Sequence, residues 1–297
     1  MDKIKYTSLN KYLRQAYGEK LYKISLNAGM SCPNRDGTLS TTGCLFCSEG
    51  GSGDFAASCN EINITEQIEE AKAFISAKTN ARKYIAYFQA FTNTYAPIEY
   101  LRKIFYEAIN HPDVAILSIG TRCDCLSEEV IDLLKELNFI KPVWIEMGIQ
   151  SIHNDTLKRM NCCYTYEQFE KAVYWLNEAN IDVIGHLILG LPGETKEMML
   201  ESVRKLCSLP INGIKLQLLH VLKNTPLEKM YIANPFPMFE LEEYCEIIAR
   251  CLEIIPSNIV VHRITGDGPK KILVAPLWSA DKKKVLNTMK KYVTEED

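Results

Sequence analysis

The chain has 297 residues, of which 47 % are hydrophobic and 24 % charged, and its formal net charge is −3. These are the proportions of a soluble globular protein, with room for one large α/β domain or two small ones. No apolar run has the length of a signal-peptide core or a membrane span, and eleven cysteines without a secretion signal exclude a disulfide framework, so a cytoplasmic protein with no membrane partner is expected.

The charge is unevenly spread. Residues 1–23 carry six Lys or Arg against two acids, residues 263–292 carry eight against two, and residues 24–262 carry twenty against thirty. Basic ends are ordinarily solvated faces. If these two meet in space, they make a phosphate-binding patch of the kind an RNA partner needs.

After the basic N-terminal arm, residues 21–27 alternate apolar and polar side chains, the period of a strand. Cys32, Cys44 and Cys47 follow at C-x11-C-x2-C spacing, among the turn formers Asn34, Asp36, Gly37, Thr41, Thr42 and Gly43. That composition predicts a loop, and a loop can fold three thiolates around one centre. Four thiolates normally hold a [4Fe–4S] cluster, so three would leave one iron open to a reactive ligand. Zinc also takes C-x2-C, and Cys59, eleven residues past Cys47, would complete a four-thiolate site. Unrelated thiols in a reducing compartment are the third reading.

Beyond a glycine-rich stretch at residues 50–53, residues 65–78 place Ile68, Ala71, Phe74 and Ile75 at helical spacing, with Thr65 as N-cap. Strands are then predicted over 84–89, 114–120, 143–149, 181–189 and 214–219. Helices are predicted over 98–109, 127–137 with Ser127 as N-cap, 165–178, 195–207 and 241–254. Strand–helix units with short connections give a parallel sheet that closes towards a barrel. The expected fold is therefore α/β, with a TIM-like partial barrel over residues 1–255. Residues 256–297 form a short basic extension packed on it, with strands at 258–265 and 271–275 and a helix at 281–292.

In such barrels the chemistry gathers where strands finish. The cysteine loop follows the first strand, and the next strand ends in a polar cluster that includes Gln89, Thr92 and Asn93. Later strand ends carry Arg122 with Cys123 and Cys125, Glu146 with Gln150 and Ser151, His186, and His220. A carboxylate inside an apolar strand is costly unless it is paired. Glu146 therefore needs either Arg122 or a ligand amine or ribose. His186 is read as a satisfied core histidine, with a place near substrate as the alternative.

The cysteine loop with Phe46 before its last cysteine, the segment from Glu146 to Ser151, and the run from Gly185 to Glu194 resemble the radical S-adenosylmethionine (SAM) superfamily. More narrowly, they resemble its branch related to the elongator catalytic subunit. The stretches 32–37, 87–95 and 262–267 are similar to the YhcC/YtqA-type subgroup, and the likeness covers nearly the whole chain. It implies a partial (β/α)6 radical SAM barrel with a [4Fe–4S] cluster on Cys32, Cys44 and Cys47, whose open iron takes SAM. Reductive cleavage of SAM then gives a 5′-deoxyadenosyl radical, with electrons from a donor such as flavodoxin or ferredoxin. By position, Phe46 lies near adenine, and Gln89, Thr92 and Asn93 hold the methionyl end. Glu146, Gln150 and Ser151 lie by the ribose or amino group, and Leu187 and Leu189 lie along the adenine.

The subgroup is linked to MnmL-type modification of tRNA, in which 5-carboxymethylaminomethyl-uridine becomes 5-aminomethyl-uridine at the wobble position. Arg14, Lys20, Arg263, Lys270, Lys271, Lys282, Lys283 and Lys284 would then touch tRNA phosphates. A radical SAM enzyme acting on a small molecule or a peptide is one alternative. A zinc-stabilised RNA-binding adaptor that includes Cys59 is another. Where relatives often carry an Arg-Gly-His-Thr-like stretch, this chain has Asn161, Cys162 and Cys163, so no role carries over to that arginine and histidine.

Overall fold

The N-terminal arm is folded, and it closes the bottom of the barrel. The structure, a computed structural model, describes residues 4–51, 63–76, 79–266 and 268–295. β1 (Ile4–Tyr6) and α1 (Leu9–Tyr17) precede β2 (Tyr22–Leu26), the first strand of the main sheet. Then come α2 (Ile64–Ser76), β3 (Tyr84–Phe88), α3 (Ile98–Asn110), β4 (Val114–Thr121), α4 (Glu128–Asn138) and β5 (Val143–Gln150). The short α5 (Asn154–Arg159) precedes α6 (Tyr166–Glu178), β6 (Asp182–Leu189), α7 (Lys196–Cys207) and β7 (Gly213–Leu218). A two-residue β8 (Val221–Leu222), α8 (Pro226–Ala233) and α9 (Leu241–Ile254) lead to β9 (Val260–Arg263) and β10 (Leu273–Ala275). The chain continues through α10 (Lys282–Met289) to β11 (Val293–Glu295).

The main sheet runs β2-β3-β4-β5-β6-β7-β9, and every neighbouring pair is parallel. It is a curled half-barrel, the partial TIM-like fold expected. Six strands come from the strand–helix units, and β9 from the C-terminal extension adds a seventh on the β7 edge. β1 pairs in parallel with β11, so the two basic ends of the chain do meet.

Side chains in a strand alternate between faces, and here the alternation builds the interior in layers. The outward residues, such as Leu26, Phe88, Ile119, Ile145, Leu187 and Leu216, are buried under the helices in one large core. The inward residues at the strand starts are Leu21, Ile85, Ile116, Trp144 and Ile184, and Leu13 of α1 packs among them. Two residues further along each strand the interior turns polar. α1 owes its stability to this contact, because its Leu9, Tyr12 and Leu13 fall at helical spacing on the face that meets the barrel. Ser8 caps its start by accepting the Lys11 N–H at 3.2 Å. Gly18 ends it with φ +72°, a left-handed conformation that glycine adopts without penalty.

The element bounds agree closely with the pattern-based expectation, with particular exceptions. Ser127, Thr165 and Thr195 are N-caps, each accepting a backbone N–H with its hydroxyl. Thr65 is not a cap. α2 begins one residue earlier, Asn63 Oδ1 accepts the Glu66 N–H at 3.0 Å, and the Thr65 hydroxyl donates to Glu107 instead.

Candidate active site

The cysteine loop is held shut by three polar side chains. Arg35 Nη2 donates to the carbonyls of Cys47 (2.9 Å) and Ser48 (2.5 Å). Gly43 faces the same guanidinium, and a Cβ there would come within 2.8 Å of Arg35 Nε. Asn34 Nδ2 donates to the Asn161 carbonyl at 2.6 Å, and Asn161 Nδ2 returns to the Gly43 carbonyl at 2.8 Å. Sequence reasoning passed over Arg35 and Asn161. The detectable signal was the polar residue at the point where relatives carry a different stretch.

Above the layers of the barrel lies a cavity of about 470 Å³, within the range of small-molecule sites. Cys32, Cys44, Cys47 and Phe46 form its wall on the loop side. Ser25, Gln89, Gly120, Gly148, Ile188 and Gln217, one inward position from each of six strands, form the opposite wall. Thr92, Gln150 and Arg263 also line it. Gln150 sits at a break in the β5–β6 register with φ +67° and folds its amide over Gly148. A Cβ at Gly148 would come within 2.2 Å of that amide, so a side chain there would displace the Gln150 amide. Phe91 is also left-handed, at φ +60°, and its ring lies against Gly51. Backbone strain of this kind gathers at functional sites.

Four of the expected cofactor contacts lie elsewhere. Leu187 and Leu189 point outward into the helix-covered core, and alternation leaves Ile188 facing the cavity. Asn93 is fully buried and spends its amide on the carbonyls of Phe88 (3.1 Å) and Gly120 (2.9 Å), fastening β3 to β4. Ser151 is fully buried and hydrogen-bonded to Glu194, so it fixes the turn after β6.

The middle layer, directly beneath the cavity, is polar. Glu146 is 1 % exposed, and its carboxylate meets the ammonium groups of Lys23 and Lys215. Ser118 Oγ donates to it at 2.7 Å, and His186 Nε2 lies 3.1 Å away. Although burial opposes ionisation, the two ammoniums hold the Glu146 pKa well below the usual carboxylate range. Burial pushes His186 the other way, down to about 4, so its imidazole is neutral at pH 7. The expected Arg122–Glu146 pair is absent. Arg122 binds its near neighbour Asp124 in a two-point contact (2.9 and 2.8 Å), and Lys23 and Lys215 reach Glu146 across the barrel. His186 lines the cavity and is also the satisfied histidine of the first reading.

The donor set suits an iron–sulfur cluster. Three free thiols line one wall of the cavity, with polar and apolar groups facing them. A hydrogen bond to Cys162 and burial both raise the Cys44 pKa. The sulfurs of a four-thiolate zinc site would lie about 3.8 Å apart, from Zn–S bonds of ≈ 2.3 Å. Among the described residues only Glu69, His111 and Asp113 bring three ligating atoms within 4.8 Å of one another, and the Lys72 ammonium already bridges the two carboxylates. Cys59 lies outside the described residues.

The expected phosphate contacts divide into three groups. Arg263 lines the cavity, and Lys270 and Lys271 follow its lining residues Gly268 and Pro269. Arg14 and Lys20 are exposed on and after α1; Lys20 shares a surface hollow with Arg263, and its ammonium lies 4.6 Å from the Tyr22 ring centroid. Lys283 and Lys284 border a separate surface hollow on α10, where Lys282 is also exposed.

Residues 32–206 match the radical SAM superfamily, and residues 211–295 match the radical SAM C-terminal domain. YtqA of Bacillus subtilis (strain 168), an uncharacterized protein, is 42 % identical over 97 % of this chain and 89 % of its own length. A tRNA uridine(34) acetyltransferase of Methanocaldococcus infernus is 30 % identical over 171 residues, which are 57 % of this chain and 31 % of that protein. The solved structure of N-terminally deleted Elp3 from the same archaeon has the same fold, with a TM-score of 0.65 at 19 % identity; it covers 91 % of this chain and 63 % of that one.

The chain belongs to the radical SAM superfamily. It is an enzyme that uses a [4Fe–4S] cluster and SAM, which sets aside the zinc adaptor. Among the described residues no helix is long and apolar enough to cross a membrane.

Proposed function

We propose that this enzyme modifies the wobble uridine of tRNA, converting 5-carboxymethylaminomethyl-uridine to 5-aminomethyl-uridine. The observation that carries this reading is the kinship with a protein named for uridine 34 of tRNA. It extends over 57 % of this chain. Arg263 in the cavity lining supports it, with the exposed Lys270 and Lys271 next in the chain after the lining residue Pro269, since an anticodon loop must bring its phosphates to that mouth.

In this reading Cys32, Cys44 and Cys47 hold the cluster. With SAM bound, it would supply a 5′-deoxyadenosyl radical to take a hydrogen atom from the carboxymethyl methylene; loss of one further electron from that carbon to the cluster would give an imine, and its hydrolysis would leave 5-aminomethyl-uridine and release the two carbons as glyoxylate. The protein's own share is orientation and exclusion of water. Arg35, Asn34 and Asn161 hold the thiols in place, α1 closes the bottom of the barrel, and Phe46, Gln89, Thr92 and Gln150 offer one apolar and three polar contacts to SAM. The reductant is a cytoplasmic one-electron donor of flavodoxin or ferredoxin type.

The test is anaerobic, reconstituted enzyme with SAM, dithionite and tRNA carrying the unprocessed base, followed by nucleoside analysis. Loss of 5-carboxymethylaminomethyl-uridine with matching 5′-deoxyadenosine release is expected. Release of 5′-deoxyadenosine with the tRNA unchanged would move the reading to a small molecule or peptide substrate.

A further inference from the structure

The polar layer beneath the cavity has more cations than anions. Among the described residues that line the cavity, Glu146 is the one carboxylate. It faces both Lys23 and Lys215, and Arg263 adds a third cation at the rim. The other titratable neighbours do not make up the difference. Burial and the Glu146 charge hold Tyr87 as a neutral phenol, and burial keeps His186 and His262 neutral imidazoles. The Tyr87 ring gives partial compensation, with the Lys23 ammonium 4.5 Å and the Lys215 ammonium 4.8 Å from its centroid. Among the described residues one carboxylate neutralises one ammonium, which leaves the floor an anion short.

Lys215 is the group exposed to that shortage. It stands on β7 beside His186 of β6, is 5 % exposed, and still lines the cavity. Burial, with Lys23 and Arg263 nearby, pushes its pKa well down against the pull of Glu146.

We propose that this floor recognises a carboxylate, seated against Lys215 from the cavity side, and that the carboxylate belongs to the substrate. The inference rests on the tRNA reading for its substrate class: a nucleoside whose base carries a carboxymethyl group is selected over its neutral counterpart. A carboxylate is also present on the methionyl end of SAM, so the test must separate the two sources.

The experiment uses cluster-loaded, full-length enzyme with SAM bound, under anaerobic conditions. Anticodon stem-loop RNA bearing 5-carboxymethylaminomethyl-uridine is compared with the same RNA bearing the carboxamide. A preference of about ten- to a hundredfold for the carboxylate is expected, the range of one charge-assisted hydrogen bond. Lys215→Met should abolish the preference, and Lys23→Met, a change at a less buried position, should reduce it. Equal binding of the two RNAs by the wild type, or an unchanged preference in Lys215→Met, overturns the proposal. So does a loss in Lys215→Met that falls on SAM affinity instead, since the floor then serves the cofactor.

A second arm is independent of RNA. Sarcosine and sarcosinamide are titrated calorimetrically. Binding of sarcosine alone supports the floor even if neither RNA binds, in which case only the tRNA reading fails. No difference between the two small molecules overturns the floor.

Discussion

Glu146 shows how one residue can be both a structural keystone and a hazard. It is buried with two ammoniums against it, and removing its charge leaves both of them without a counter-ion. Glu146→Gln should therefore lower the unfolding free energy by about 3–5 kcal/mol, read from denaturant midpoints at pH 7. His186 supplies a pH signature. The unfolded imidazole takes a proton below its ordinary value near 6.5, whereas the folded one refuses it until about 4. Its contribution to stability is thus complete above pH 6.5 and is lost as the pH falls towards 4. Between pH 7 and 4.5, wild-type stability should fall more steeply than that of His186→Gln. Parallel curves would show that the histidine charges freely in the folded protein. Among the thiols, Cys32→Ser, Cys44→Ser and Cys47→Ser should each lose the brown chromophore and most of the iron. Cys163→Ser, at an exposed position that does not line the cavity, should keep both.

Two elements hold the site from either side. α1 seals the strand-start end of the barrel through Leu13, which is 2 % exposed. Leu13→Ala should cost about 2–5 kcal/mol, the range for a buried leucine whose cavity does not collapse, measured by urea unfolding. On the other side, the turn after α5 reaches the cysteine loop through Asn161, which donates to Gly43 at 2.8 Å and Thr42 at 3.1 Å. Asn161→Ala should speed iron loss to a chelator. The unfolding midpoint should move by no more than the 1–3 kcal/mol of an unmade hydrogen bond.

At the scale of the whole molecule, the question is which basic groups face an RNA. β1 and β11 bring the chain ends together, and Lys20 of one end and Arg263 of the other line one surface hollow. Arg263 also lines the cavity, and the exposed Lys270 and Lys271 follow its lining residue Pro269, while Arg14 lines neither hollow. Reversing Arg263, Lys270 and Lys271 should weaken tRNA binding and flatten its salt dependence by about 2–3 in log–log slope, at ≈ 0.7–0.9 per phosphate contact. Reversing Arg14 should leave the slope unchanged. If rim reversal leaves binding at low salt intact, the RNA does not enter by this mouth.

The sequence by itself determined the alternation of strands and helices, the helix cap at Ser127, and the cysteine spacing. All of these are local, written in hydrophobic period or in motif distance. The helix α1 was also legible in the spacing of Leu9, Tyr12 and Leu13, but its basic side chains drew the reading towards a solvated arm. Tertiary structure decided what no local pattern carries. Lys23, Glu146, His186 and Lys215 lie on four different strands, and only closure of the sheet brings them into one layer. Glu146 chose Lys23 and Lys215 over Arg122 because Asp124, two residues away, had already satisfied the arginine. Leu187 and Leu189 left the cavity to Ile188 because one residue along a strand is the difference between the two faces of a sheet.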